Sequence, residues 1–209
     1  MNRKGTAIKA VVFDLGGVLE YDSRQQVDSH VARSFGMGLR KLQEHLPAFI
    51  ARLQTGKINE RQMWCEFAKT VGKPLPHDWK TLLREPHGKH FHILEETLEI
   101  VKRLKQAGYK LGLLSNTQEA HKRKEHLKKT FPYFDFVFLS HKHGLRKPES
   151  KAYQFVLRKL GVKAGEAVFV DNVREYVSAA NKIGMKGVLF QNASKLSERL
   201  VKMGLLTNK

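Results

Sequence analysis

Cysteine is nearly absent from the chain. Cys65 is the only one among 209 residues, which excludes an internal disulfide framework and fits a reducing, cytoplasmic setting. It lies in "RQMWCEFAK", where helical spacing points to a core thiol rather than a reactive one. Long apolar runs are missing as well. None approaches the ~20 residues that span a bilayer, so no membrane partner is expected. The opening "MNRKGTAIKAVVFD" sets basic residues before apolar ones, as a secretion signal does, but the apolar part is short and Asp14 interrupts it. Acids are the third scarcity: 20 Asp and Glu face 38 Lys and Arg, a formal net charge of +18. Such an excess fits plain solubility. It also fits an anionic partner, either a phosphorylated metabolite or nucleic acid, and charge alone does not choose. The densest basic run, "HKRKEHLKK" (121–129), has helical spacing and reads as a solvated helix face.

What the chain does have is alternation. Five short runs rich in Val, Leu and Phe, "IKAVVFD", "YKLGLLS", "FDFVFLS", "EAVFVD" and "KGVLF", lack polar alternation, as strands covered on both faces do. Amphipathic segments ending in glycine separate the later ones: "LEETLEIVKRLKQAG", "ESKAYQFVLRKLG" and "EYVSAANKIG". The pattern predicts an α/β fold with a doubly wound parallel sheet. After the first strand, almost a hundred residues pass before the second. "SRQQVDSHVARSFG", "LRKLQEHLPAFIARLQTG" and "NERQMWCEFAKTVG" each carry an apolar stripe and end in glycine. We expect a core domain from residues 1–20 and 87–209, with a helical cap domain, 21–86, inserted. "LREPHGKHFHI" is the expected return linker, with His90 and His92 on extended chain. Trp64 and Trp79 are expected to pack within the cap.

In open parallel sheets, ligands sit at the carboxyl ends of the strands. The polar residues there form a set: Asp14 after the first strand, Ser115, Asn116 and Thr117 after the second, Lys147 in the loop after the third, and Asp171 and Asn172 after the fourth. A carboxylate at the edge of an apolar core costs free energy unless it is paired, hydrogen-bonded or metal-bound. Hard oxygen ligands suit Mg²⁺, and lysine with serine suits phosphate oxygens.

These residues carry a resemblance. "VVFDLGGVL", "LGLLSNT", "GLRKPESKAYQFVLRKLGV" and "AVFVDNVREYVSAANKIGM" resemble, in order, the four motifs of the haloacid dehalogenase superfamily. The chain is most similar to the phosphatase-like branch with a small helical cap, including glucose-1-phosphate phosphatase-like members. The resemblance implies a HAD-like core and a nucleophile, Asp14, that becomes an aspartyl-phosphate. It implies a Mg²⁺ held by Asp14, Asp171 and the backbone carbonyl of Gly16. Ser115 and the backbone at Asn116 would bind the phosphoryl group of a small substrate, and Lys147 would offset its charge during catalysis.

Two positions depart from that pattern. The proton-transferring aspartate two residues after the nucleophile is replaced by Gly16, and the second acid of the last motif by Asn172. Such a proton-transfer group is worth ~10²–10⁴-fold. A stable leaving group, such as the anomeric oxygen of a sugar 1-phosphate, would suffer least. Glu20 or Asp22 is a candidate substitute. Two other functions stay open: a metal-independent haloacid dehalogenase, and a catalytically weakened binding protein whose basic surface engages nucleic acid.

Overall fold

A computed structural model describes residues 7–118 and 129–207. The basic run at 121–128 lies outside them. Five strands form one parallel sheet: β1 (Ala10–Phe13), β2 (Lys110–Ser115), β3 (Phe136–Leu139), β4 (Ala167–Asp171) and β5 (Lys186–Leu189), in the order β3-β2-β1-β4-β5. All five apolar runs became strands, and the predicted α/β doubly wound fold is the observed one. The chain winds outward from β1 to β3, then crosses back to β4, so strand order reverses beside β1.

Alternation along β1 sends its side chains to two separate cores. Val11 and Phe13 join Leu111, Leu113, Val168 and Val170 beneath α5 (Glu95–Gln106) and α9 (Ala193–Lys202). Ala10 and Val12 face the other way, toward α7 (Ser150–Leu160) and α8 (Arg174–Lys182). Gly112 lets α7 approach β2, because a Cβ there would lie 3.0 Å from both Leu160 and Val156. Helix α9 was not anticipated from the sequence. It buries Leu196 and Leu200 from a segment that carries no strand or motif signal.

The insert between β1 and β2 is helical. It contains α1 (Arg24–Ser34), α2 (Leu39–Gln54), α3 (Glu60–Val71) and α4 (Arg84–His90). A core of its own holds it together, in which Phe67 packs edge to ring with Phe35 and Trp64 among Leu42 and Val31. Reciprocal hydrogen bonds of 2.8 and 2.9 Å between Asn59 and Gln62 start α3. Two expectations for this region fail. The return segment is not extended at His90: α4 forms there, with Glu85 and Lys89 paired one turn apart at 2.8 Å. Cys65 is half-buried rather than a core thiol. The outgoing and returning segments run side by side. Leu94 N–H donates to the Leu19 carbonyl at 2.9 Å, Tyr21 N–H to the His92 carbonyl at 3.0 Å, and the Tyr21 and His92 rings stack at 5.0 Å. No helix among the described residues is long and apolar enough to cross a membrane.

Candidate active site

Strand register brings the two aspartates together. Phe13 pairs with Val170, and Asp14 N–H donates to the Val170 carbonyl at 2.9 Å, so Asp14 and Asp171 stand side by side at the carboxyl edge. This is also where strand order reverses, the place such sheets form a crevice. Lys147 enters between them. Its Nζ lies 2.6 Å from Asp14 Oδ1 and 2.7 Å from Asp171 Oδ2. All three side chains are buried, Lys147 and Asp171 almost wholly so. The second Asp171 oxygen, Oδ1, accepts the Val173 N–H at 2.8 Å, which fixes the carboxylate at the start of α8. The Lys147 ammonium also sits 5.0 Å from the ring centre of Tyr176.

Asn116 holds the lysine loop. Its Nδ2 donates to the Lys147 carbonyl at 2.9 Å, and its Oδ1 accepts the Lys147 N–H at 2.8 Å. The Asn116 side chain thus holds the Lys147 backbone; the part of Asn116 expected to bind substrate is its own backbone. Ser115 is buried at the same edge and lines the cavity with Asp14 and Lys147. Ser140, at the start of the short helix α6 (Ser140–His143), fixes the neighbouring turn. Its Oγ accepts the Thr117 N–H at 2.9 Å and donates to the Thr117 carbonyl at 3.0 Å.

Gly16 and Gly17 form the turn after Asp14. Gly17 has φ +78°, and a Cβ on it would meet Asn172 Nδ2 at 2.2 Å, so only glycine fits. Gly16 faces open space. A Cβ there would lie 3.9 Å from Glu20 Oε1. The Glu20 carboxylate, buried and lining the cavity, therefore stands where a side chain at position 16 would point. Asp22 instead lies toward solvent, accepting the Arg24 N–H at 3.0 Å.

The charges in the site act on one another. Burial pushes the Asp14 carboxyl up, to about 7; the Lys147 ammonium pulls against this, and the Asp171 charge adds to it. Burial works against the Lys147 charge, but Asp14 and Asp171 outweigh it and hold the proton on more tightly than usual. The donor set suits a divalent cation. No three His, Cys, Asp or Glu side chains cluster as a metal site among the described residues. Mg²⁺ does not need such a cluster: one or two carboxylates, waters and substrate phosphate suffice. Asn172 Oδ1, a buried acceptor with no hydrogen-bond partner, adds a neutral oxygen beside the Gly17 turn.

Several residues of this site carry no sequence signal. The cavity over Asp14, about 320 Å³, extends under the helical insert. Gln54 of α2 donates from Nε2 to the Asn116 carbonyl at 3.3 Å, and Arg146 Nη2 donates to Gln54 Oε1 at 3.5 Å. Arg146 adjoins Lys147 and was legible in principle. Gln54 and Tyr176 sit in amphipathic helices, where nothing marks them out.

Two aspartates and a lysine from three strand ends thus meet at one edge of the sheet. Residues 8–184 match the haloacid dehalogenase-like hydrolase family, and the chain belongs to it. The sesquiterpene phosphatase astK of Aspergillus oryzae is 28% identical over 190 residues, covering 88% of this chain and 90% of that protein. A phosphatase of Mycobacterium tuberculosis is 24% identical over 202 residues, covering 94% and 93%. The structure of a HAD family enzyme from Bacteroides thetaiotaomicron superposes with a TM-score of 0.75 at 21% identity, covering 93% of this chain and 98% of that one. The same enzyme in complex with magnesium and inorganic phosphate gives 0.69 at 22% identity, covering 89% and 96%.

Proposed function

We propose that the protein is a Mg²⁺-dependent phosphatase of the small-cap branch of its family, acting on a small phosphorylated substrate through an aspartyl-phosphate, in a reducing cytoplasmic compartment. The observation that carries this reading is the contact of Asp14 and Asp171, from neighbouring strand ends, with one buried ammonium. The phosphatase names of the two relatives and the magnesium–phosphate complex of the Bacteroides enzyme support it.

Asp14 Oδ attacks phosphorus in line with the ester oxygen. A P–O bond to Asp14 forms as the P–O bond to the alcohol breaks, and the alcohol oxygen takes a proton. Water then attacks the aspartyl-phosphate, gives up a proton and restores Asp14. Ser115 and Lys147 hold the phosphoryl oxygens, and Lys147 balances charge on the nucleophile and phosphate together. Asn116 acts through Lys147 by gripping its backbone. Glu20, standing over Gly16, is the acid positioned to exchange those protons. Asp14, Asp171 and the Gly16 carbonyl would hold Mg²⁺, with Asn172 Oδ1 alongside; the bound ion would neutralise charge on the transferring phosphoryl group. The helical insert acts as a cap that keeps water from the site. A dehalogenase reading has less support, because the two relatives matched along nearly their whole length are named phosphatases.

The test is phosphate release from 4-nitrophenyl phosphate with Mg²⁺. Activity should disappear with EDTA and fall by ~10⁴-fold or more in Asp14→Asn, as for loss of other covalent nucleophiles. Release that survives Asp14→Asn overturns the mechanism.

A further inference from the structure

The cavity above Asp14 has two unlike ends. At the core end stand Ser115, Lys147 and Arg146, donors suited to a phosphoryl group. The cap end is walled by Val27, Leu42, Leu46, Pro47, Ile50 and Leu83. Four of these, Val27, Leu42, Leu46 and Leu83, also belong to the buried core of the insert, so the wall is the underside of that core and is fixed by it. Polar side chains border this wall, and several of them engage protein groups. Gln43 donates to Asp28 Oδ2 at 3.3 Å, Gln54 donates to the Asn116 carbonyl, and Arg24 lies 3.9 Å from Asp22 Oδ2.

From this polarity we infer that the substrate is the phosphate monoester of a compact apolar alcohol rather than of a sugar. This rests on the phosphatase reading and narrows it. The hydroxyls of a sugar ring would face aliphatic side chains and lose their hydrogen bonds to water without replacement. A hydrocarbon group leaves water and meets a preformed apolar surface. The size agrees: about 320 Å³ is near the lower end of small-molecule sites, ~300–1,000 Å³, so a long acyl or polyprenyl chain does not fit inside.

The experiment compares kcat/KM for geranyl monophosphate and glucose 1-phosphate on the Mg²⁺-loaded protein, with 4-nitrophenyl phosphate as a reference. Geranyl monophosphate should exceed glucose 1-phosphate by ~10-fold or more, the scale of discrimination a hydrophobic pocket gives. Ile50→Asn should shrink that ratio several-fold, and Leu46→Gln should do the same where it folds. A ratio at or below one with 4-nitrophenyl phosphate turned over overturns the inference and leaves the phosphatase reading standing. Loss of all turnover would remove the phosphatase reading. Isothermal titration of the two esters then decides the inference separately: tighter binding of geranyl monophosphate supports it, and equal or weaker binding overturns it. A ratio unchanged in Ile50→Asn also counts against the apolar wall.

Discussion

The two walls of the cavity are built on different physical terms. The core wall consists of buried charges joined by short bonds: Lys147 to Asp14 at 2.6 Å, Lys147 to Asp171 at 2.7 Å, and Asp171 to the Val173 N–H at 2.8 Å. The cap wall is aliphatic, and the named polar links across the seam, Gln54 to Asn116 and Arg146 to Gln54, are 3.3 and 3.5 Å long. Directional, charge-assisted bonds hold atoms to fractions of an ångström, as chemistry requires. Apolar contact is tolerant of shape and displacement. The charged wall is therefore held by directional bonds and the apolar wall by packing against the core of the insert.

The sharpest way to break this contrast is at Lys147. Lys147→Met leaves two carboxylates facing each other without their counter-ion, and loss of one partner from a buried pair costs ~3–5 kcal/mol. Urea unfolding without metal should show that loss, and Mg²⁺ should restore part of it. A loss under ~1 kcal/mol would mean the aspartates are not held by the ammonium. Glu20 comes next. Glu20→Gln keeps the shape of the side chain and removes its proton, so kcat should fall by ~10²-fold or more. A change within about threefold would leave Glu20 without a part in proton transfer. At the seam, Gln54→Ala removes one weak link on each side, each worth ~1 kcal/mol at most. It should raise KM by less than ~10-fold and speed amide exchange in the cap more than in the sheet. Faster exchange throughout the sheet would mean that the seam also braces the core.

The smallest effect lies far from both walls. Asp135 receives the Leu111 N–H at 2.7 Å and the Lys105 ammonium at 2.6 Å. Burial alone would raise its carboxyl, but these hydrogen bonds outweigh it and hold the carboxyl below its ordinary range. A depressed folded-state value means the contribution is complete above the ordinary carboxylate range, near pH 4, and is lost as pH falls through it. Asp135→Asn should therefore lower stability at neutral pH, change little in strong acid, and so flatten the acid side of the stability curve. An acid limb identical to that of the parent protein would remove Asp135 from the account.

Much of the architecture was readable in the residues themselves. Val-, Leu- and Phe-rich runs without polar alternation became β1 to β5, and helices α1 to α3 stop at the glycines that end their apolar stripes. Meeting points were readable to the extent that strand ends are: Asp14, Ser115 and Asp171 lie on one edge because a parallel sheet puts every carboxyl end there. The rest depended on partners distant in the chain. "REPHGKH" looks like a linker because Pro86 and Gly88 disfavour helix locally, yet α4 forms against α1. The Asn116 side chain holds the backbone of Lys147, 31 residues away, a link that no local pattern shows.

By itself, the sequence determined the strands, the helical insert and the types of reactive group, since these follow from local periodicity and from acids placed at the ends of apolar runs. Tertiary structure alone decided that one ammonium joins both aspartates, that Glu20 stands over the bare Gly16, and that Leu42, Leu46 and Ile50 wall a cavity rather than only filling a core. An apolar stripe reads the same whether it faces protein or ligand, and only the arrangement of elements far apart in the chain tells the two apart.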